Sequence, residues 1–489
     1  MNPKPPDPQA IVIFGASGDL TKRKLLPALF HLYCEGLLPH GFAVVGYART
    51  KMSDDEFREY TRDAIKNFGR AEPSGEVWTD FAKHLSYIAG EFNSELAMEE
   101  LREHLEDMDR AHGTAGGRFY YCATPPVAYP QVVRRLSESY MHAGAKIVIE
   151  KPFGRDLDTA RRLNRELHQT FEERQIFRID HYLGKETIQN VLAFRFANGM
   201  FEPIWNRRYV DNIQITVAEE IGIEGRGAFY EQTGTLRDMV QTHLLQVLTF
   251  IAMEPPVSFD PERLRDEKAK VLLAMEPVGP DRVVRAQYVG YRDEPDVAAD
   301  SQGETYAALE VRVDNWRWAG VPFYLRTGKH LKRKDSELTM VFRDVPYNAF
   351  KDTEAGRPKR DHLTFRVQPD EGITVAFNVK TPGPGLRLHR ATMNFSYQQT
   401  FHAELIEAYE TLLLEAMNGD HTLFTREDEV ERAWEVLMPV LERPPSVVFY
   451  EKGSWGPQEA DALIAPHRWH VSHERRDRDD GDDDSGDAG

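Results

Sequence analysis

Short apolar runs alternate with helix-like stretches through the first third of the chain, and this alternation limits the fold more than any other feature. Ala10-Ile-Val-Ile-Phe14 stops at Gly15 and reads as a buried strand. A helix is expected over 22–35, ending before Gly36, and a second strand over 42–47. Ser53 with Glu56 three residues on is a capping-box signal for the next helix. Further strands are expected over 83–89, 118–123 and 146–150, with helices over 94–110 and 130–143 between them. Strands interleaved with helices predict a doubly wound parallel sheet in roughly the first 175 residues.

Beyond that point the texture changes. Residues 209–219, 306–313, 363–369 and 373–380 alternate as strands without regular helical spacers, which predicts an α+β region with a mostly antiparallel sheet. Residues 239–253 read as a buried helix. The expected division is 1–177, then 178–472, then an acidic tail over 473–489. In that tail Asp477 to Asp487 holds seven Asp in eleven positions, a composition expected to stay disordered.

With 489 residues the chain exceeds one ordinary core. A net charge of -18 argues against nucleic acid or an anionic membrane as partner. An anionic small molecule would therefore need a local basic cluster. Two cysteines, Cys34 and Cys122, supply neither a four-thiolate zinc site nor a disulfide framework, and no metal site is expected. The N-terminus lacks the apolar core of a signal peptide and no apolar run reaches spanning length, so the cytoplasm is the expected compartment.

Five segments carry chemistry. Gly15-Ala16-Ser17-Gly18-Asp19-Leu20 follows a strand and opens a helix, where glycines admit a diphosphate to the helix N-terminus. Its Gly-x-x-Gly spacing departs from the usual dinucleotide fingerprint and also fits a tight turn without ligand. Lys22 begins the basic start of the helix. Arg49, at the end of the second strand, stands where an acidic residue would bind a ribose hydroxyl; an Arg accommodates a 2′-phosphate and points to NADP. Glu150-Lys151-Pro152-Phe153-Gly154 ends a strand on the edge where ligands bind in such sheets, and Pro152 is a candidate for a cis bond. Arg178-Ile-Asp-His-Tyr-Leu-Gly-Lys-Glu186 packs six titratable types into nine residues; His181 and Lys185 can neutralise a phosphate, and Asp180 can orient a base elsewhere. Arg326-Thr-Gly-Lys329 runs on to Lys334 as the densest basic stretch, either an anion loop or a solvated charge run. Glu219, Asp238 and His243 lie between these. At 3.6 residues per turn, Asp238 and His243 are expected about 140° apart on a helix, not on one face.

These segments, in this order and spacing, resemble the glucose-6-phosphate dehydrogenase family from about residue 11 to 455. The resemblance implies a Rossmann-like domain followed by the larger α+β domain. It implies oxidation of glucose 6-phosphate at C1 with NADP, NAD being a secondary possibility. His243 matches the general base and Asp180 its partner. His181, Tyr182 and Lys185 match the phosphate cradle, Glu219 and Asp238 the groups that bind sugar hydroxyls, and Lys329 and Lys334 two basic substrate contacts. Lys151 matches a lysine serving substrate and cofactor, and Gly15 to Leu20 with Lys22, Arg49 and Tyr121 match the cofactor site. Glu220 and Thr242 stand where many members have Pro and Asn. A homodimer or homotetramer is implied. A non-catalytic NADP-binding regulator on the same scaffold is the alternative.

Overall fold

The computed structural model describes residues 5–353, 355, 357–401 and 406–471. The expected acidic tail over 473–489 lies outside the described residues. The chain forms two compact units that are not contiguous in sequence. The first gathers Met1–Gln189, Met253–Lys270 and Leu405–Glu435; the second gathers Asn190–Ala252, Val271–Glu404 and Val436–Gly489. Each unit is assembled from three separate stretches of chain. Residues 253–270 and 405–435 join the first unit through packing across the chain, which leaves no local pattern in the sequence.

The first unit holds the expected parallel sheet. Its strands are β1 (Gln9–Phe14), β2 (Phe42–Ala48), β3 (Leu85–Ala89), β4 (Arg118–Cys122), β5 (Lys146–Ile149) and β6 (Ile176–Ile179). They run in the order β6-β5-β4-β1-β2-β3, and a two-residue strand, Phe424–Thr425, pairs antiparallel with β6 at the edge. Every residue of β1 and β2 is buried, as a sheet covered on both faces requires. Ser53 and Glu56 form the capping box that opens the helix Asp54–Phe68. Cys34 and Cys122 are both free thiols.

In the second unit the strands are β7 (Val210–Ala218), β8 (Val283–Tyr288), β9 (Tyr306–Arg312), β10 (Pro322–Gly328), β11 (Asp335–Phe342), β12 (His362–Gln368), β13 (Gly372–Lys380) and β14 (Leu388–Ser396). The sheet order is β14-β13-β12-β11-β7-β10-β9-β8, closed by Val447–Tyr450. The β10–β7 and β8–Val447 pairings are parallel and the others antiparallel. β14 is an edge strand with no buried residue and no apolar alternation in its sequence, so it carries no strand signal. Among the described residues, no helix is long and apolar enough to cross a membrane.

Tryptophans tie distant backbone to each site-bearing segment. Trp434, 1% exposed, donates its indole N–H to Phe153 O at 2.9 Å in the first unit. In the second unit the helix Leu245–Ala252 ends with carbonyls that no further turn can satisfy. Trp205 donates to Ile251 O and Trp318 to Ala252 O, each at 2.8 Å, while Arg195 Nη1 reaches Phe250 O and Ile251 O at 3.0 Å. Trp434→Phe removes a buried donor, strands the Phe153 carbonyl and leaves a void. It should destabilise the first unit by roughly 1–3 kcal/mol, read as a lower midpoint in thermal unfolding.

Candidate active site

The turn after β1 is built around a position only glycine tolerates. Gly15 has φ +88°, and a Cβ there would stand 2.4 Å from Ala123 O. The Gly15 N–H donates to Tyr47 O at 2.8 Å and the Gly18 N–H to Gly15 O at 2.9 Å, so the turn folds onto the end of β2. Ala16 is buried; Ser17 Oγ lies 3.0 Å from Thr50 Oγ1, next to exposed Arg49. Asp19 and Leu20 lead into the helix, and Asp19 pairs with Arg23 at 2.7 Å. Lys22 Nζ stands 5.6 Å from the centre of the Tyr60 ring. The helix start, the close-approaching backbone and an exposed Arg beside it fit a dinucleotide carrying a 2′-phosphate.

At the ends of β5 and β6 the first unit concentrates buried charge. The Lys151–Pro152 bond is cis. Glu150 is held by two phenols: Tyr121 donates to Oε1 at 2.6 Å and Tyr409 to the same oxygen at 3.3 Å. Burial raises the Glu150 carboxyl above its ordinary range. Tyr121 is fully buried and its hydroxyl is committed to this carboxylate, so its part is to hold Glu150 beside Lys151. Tyr409, 259 residues from Glu150, carries no local sequence signal that could have found it.

Asp180 follows β6 with 0% exposure, and its Oδ1 accepts the Tyr182 N–H at 2.9 Å. Burial pushes its carboxyl up to about 6, against the pull of His181, the Tyr182 N–H, Lys151 and Lys268. His181 is half-buried, its ring 5.0 Å from that of Tyr182 and stacked on Tyr409 at 6.4 Å. Lys185 Nζ stands 4.0 Å from the centre of the Tyr182 ring, which orients the ammonium by a cation–π contact. Arg178, in the same nine residues, is structural: fully buried, it donates to Glu173 at 2.6 Å and to Asn164 at 3.0 Å.

The second unit assembles its own cluster. Glu219, at the end of β7, forms an ion pair with Lys329, which follows β10. Lys329 Nζ lies 5.7 Å from the centre of the Tyr230 ring, and Tyr230 donates to Asp238 Oδ2 at 3.3 Å. Tyr230 thus links two expected site residues; nothing in its sequence setting marks it. Burial, then Asp238, holds its phenol well above the usual range. Lys334 is exposed on the loop before β11.

Asp238 and fully buried His243 lie on Leu236–Leu244, which is π-helical, with the Leu245 N–H bonded to Val240 O. This corrects the expected 140° separation. In a turn closed by i→i+5 bonds, residues five apart stand nearly above one another, so Asp238 and His243 are brought toward one side. Gly15→Ala forces a side chain into a positive φ and against a carbonyl. It should weaken NADP+ binding by about tenfold or more and lower the unfolding midpoint, measured by calorimetry with and without the dinucleotide.

Two family models match the chain. The NAD binding domain of glucose-6-phosphate dehydrogenase covers residues 12–190 and the C-terminal domain covers 192–471. A glucose-6-phosphate 1-dehydrogenase of Chlamydia pneumoniae is 43% identical over 95% of this chain and 96% of its own. That of Aggregatibacter actinomycetemcomitans is 44% identical over 93% and 95%. Among solved structures, the Mycobacterium avium glucose-6-phosphate 1-dehydrogenase superposes with TM-score 0.85 at 37% identity, covering 95% of this chain and 99% of that one. A glucose-6-phosphate dehydrogenase in complex with glucose 6-phosphate gives TM-score 0.88 at 36% identity, covering 96% and 100%. With both family models matched in order along nearly its whole length, the chain belongs to the glucose-6-phosphate dehydrogenase family.

Proposed function

We propose that this chain oxidises D-glucose 6-phosphate at C1 to 6-phospho-D-glucono-1,5-lactone with NADP+ as cofactor. The observation that carries the reading is the likeness, over 96% of the chain, to a relative solved with glucose 6-phosphate bound. His181, Tyr182 and Lys185 receive the phosphate, where a cation oriented on a ring supplies charge and donors. Glu219 and Asp238 accept hydrogen bonds from sugar hydroxyls, with Lys329 and Lys334 as basic contacts and Lys151 serving sugar and cofactor. Gly15 to Leu20, Lys22 and Arg49 hold NADP+, the 2′-phosphate going to Arg49; Tyr121 supports that edge through Glu150. When bound, NADP+ supplies the hydride acceptor.

His243 takes the proton of the C1 hydroxyl as general base. Asp180 is the carboxylate that stabilises the resulting imidazolium; it transfers no proton itself. The roles divide by environment. A carboxylate at Asp180 is useful only when ionised, and burial sets its midpoint near 6. NAD+ is proposed as a poorer substitute, because Arg49 then has no 2′-phosphate to meet. A non-catalytic regulator is not favoured, since the full-length relatives are dehydrogenases by name.

Purified protein should reduce NADP+ in the presence of glucose 6-phosphate and not of glucose. His243→Ala should lower kcat by at least ~100-fold; near-wild-type turnover would refute the base assignment. As pH falls through about 6, Asp180 gains a proton and kcat/KM should fall with it; a profile flat to well below that value removes Asp180 from the mechanism.

A second copy of this chain is the partner proposed, in a homodimer or homotetramer. The support is β14, an edge strand with Met393 59% exposed. Sedimentation equilibrium that returns only the monomer mass contradicts it. The cytoplasm is the compartment proposed, in keeping with two free thiols.

A further inference from the structure

Tyr230 meets an ordinary need with an unusual partner. It is 1% exposed and belongs to a buried cluster with Ile223, Tyr288, Tyr291 and Leu331, which fixes its ring. A buried phenol needs a hydrogen-bond acceptor, and a backbone carbonyl would serve. Tyr230 Oη instead donates to Asp238 Oδ2 at 3.3 Å, a carboxylate assigned above to the sugar. The same ring lies under Lys329, whose Nζ is 5.7 Å from its centre and pairs with Glu219, the other carboxylate so assigned. One fixed ring therefore stands against both.

The backbone bends to make the contact. Tyr230 is on the helix Gly227–Thr235 and Asp238 lies eight residues on. In one continuous helix that spacing would part them by about 12 Å along the axis. Gly234 breaks the helix with φ +64° and ψ 172°, and a Cβ there would stand 2.4 Å from Glu304 Oε1. Glu304, 2% exposed, accepts the Leu236 N–H on that oxygen and the Thr235 N–H on its carbonyl, each at 3.0 Å. Arg285 on β8 holds its other carboxylate oxygen at 2.7 Å. Glu304 and Arg285 lock the kink, and the kink returns Asp238 to the phenol.

A carboxylate only accepts, through roughly four lone-pair positions on two oxygens. The Tyr230 bond takes one of them on Oδ2 and restrains rotation of the group. Burial, Asp238 and Glu219 hold the phenol well above its usual range, against Arg226, so it remains a donor. We propose, resting on the substrate role given to Asp238, that Tyr230 is a positioning residue that turns Asp238 toward one sugar hydroxyl and so sets which sugar 6-phosphate is accepted.

The test is steady-state kinetics of Tyr230→Phe, which keeps the ring and removes the donor. KM for glucose 6-phosphate should rise about fivefold with kcat within about twofold, the pattern of binding lost equally from substrate and transition state. Inorganic phosphate, used as a competitive inhibitor, should keep its wild-type inhibition constant, because the residues assigned to the phosphate are untouched. The 2-, 3- and 4-deoxyglucose 6-phosphates locate the effect. Asp238→Asn identifies the analogue whose missing hydroxyl Asp238 accepts, and on that analogue Tyr230→Phe and wild type should share one KM. An unchanged KM for glucose 6-phosphate, even with a lowered unfolding midpoint, makes the bond structural only and overturns the proposal. So does a KM penalty undiminished on that analogue, or a weakened grip on inorganic phosphate. Wild-type protein inert toward glucose 6-phosphate would instead sink the proposed function, and wild-type KM values for Asp238→Asn on every substrate would sink the role of Asp238.

Discussion

Asp180 carries no exposed surface, and a carboxylate in that position persists only because cations and an N–H donor lie around it. Much of the first unit answers this requirement. The buried carboxylates Glu150 and Glu429 each have partners, two phenols for one and Lys268 for the other. Buried Arg178 is matched by Glu173 and Asn164. The cost of dehydrating these groups is large enough that removing one partner is worse than removing both. Charges are therefore placed in sets, and each set fixes the elements that contribute to it. Helices from residues 253–270 and 405–435 belong to this unit for that reason as well as for their apolar faces.

The second unit meets a different constraint. Its long buried helix must end inside the protein, where unsatisfied carbonyls are costly. Trp205, Trp318 and Arg195 satisfy three of them. The same helix begins as a π-helix, a rarer geometry that tends to mark functional positions, and there it carries Asp238 and His243. Fixing the far end of the helix limits how the wide turn can relax.

The local chemistry was legible in the chain. The strand before Gly15, the capping box at Ser53 and the strand leading to Lys151 are short-range patterns found where they are expected, and the cluster from Asp180 to Lys185 is short-range as well. What escaped depended on distance along the chain. Tyr409 reaches Glu150 across 259 residues and Trp434 reaches Phe153 across 281. No spacing rule encodes such a contact. The angle between Asp238 and His243 differs from that of a 3.6-residue period because the backbone there adopts i→i+5 bonding.

Side-chain type and short-range spacing set local structure, and so fix which functional groups the chain carries, in what order, and the parallel-sheet and antiparallel-sheet regions that bear them. Which of those groups lose water, and which charges stand beside them, is set by packing across the fold. Burial lifts Asp180 to about 6, commits Tyr121 to Glu150 and makes Arg178 structural, while His181 and Lys185 keep partial exposure. Ionisation and hydrogen-bond partners depend on the packing of segments hundreds of residues apart, and that information exists only once the chain has folded.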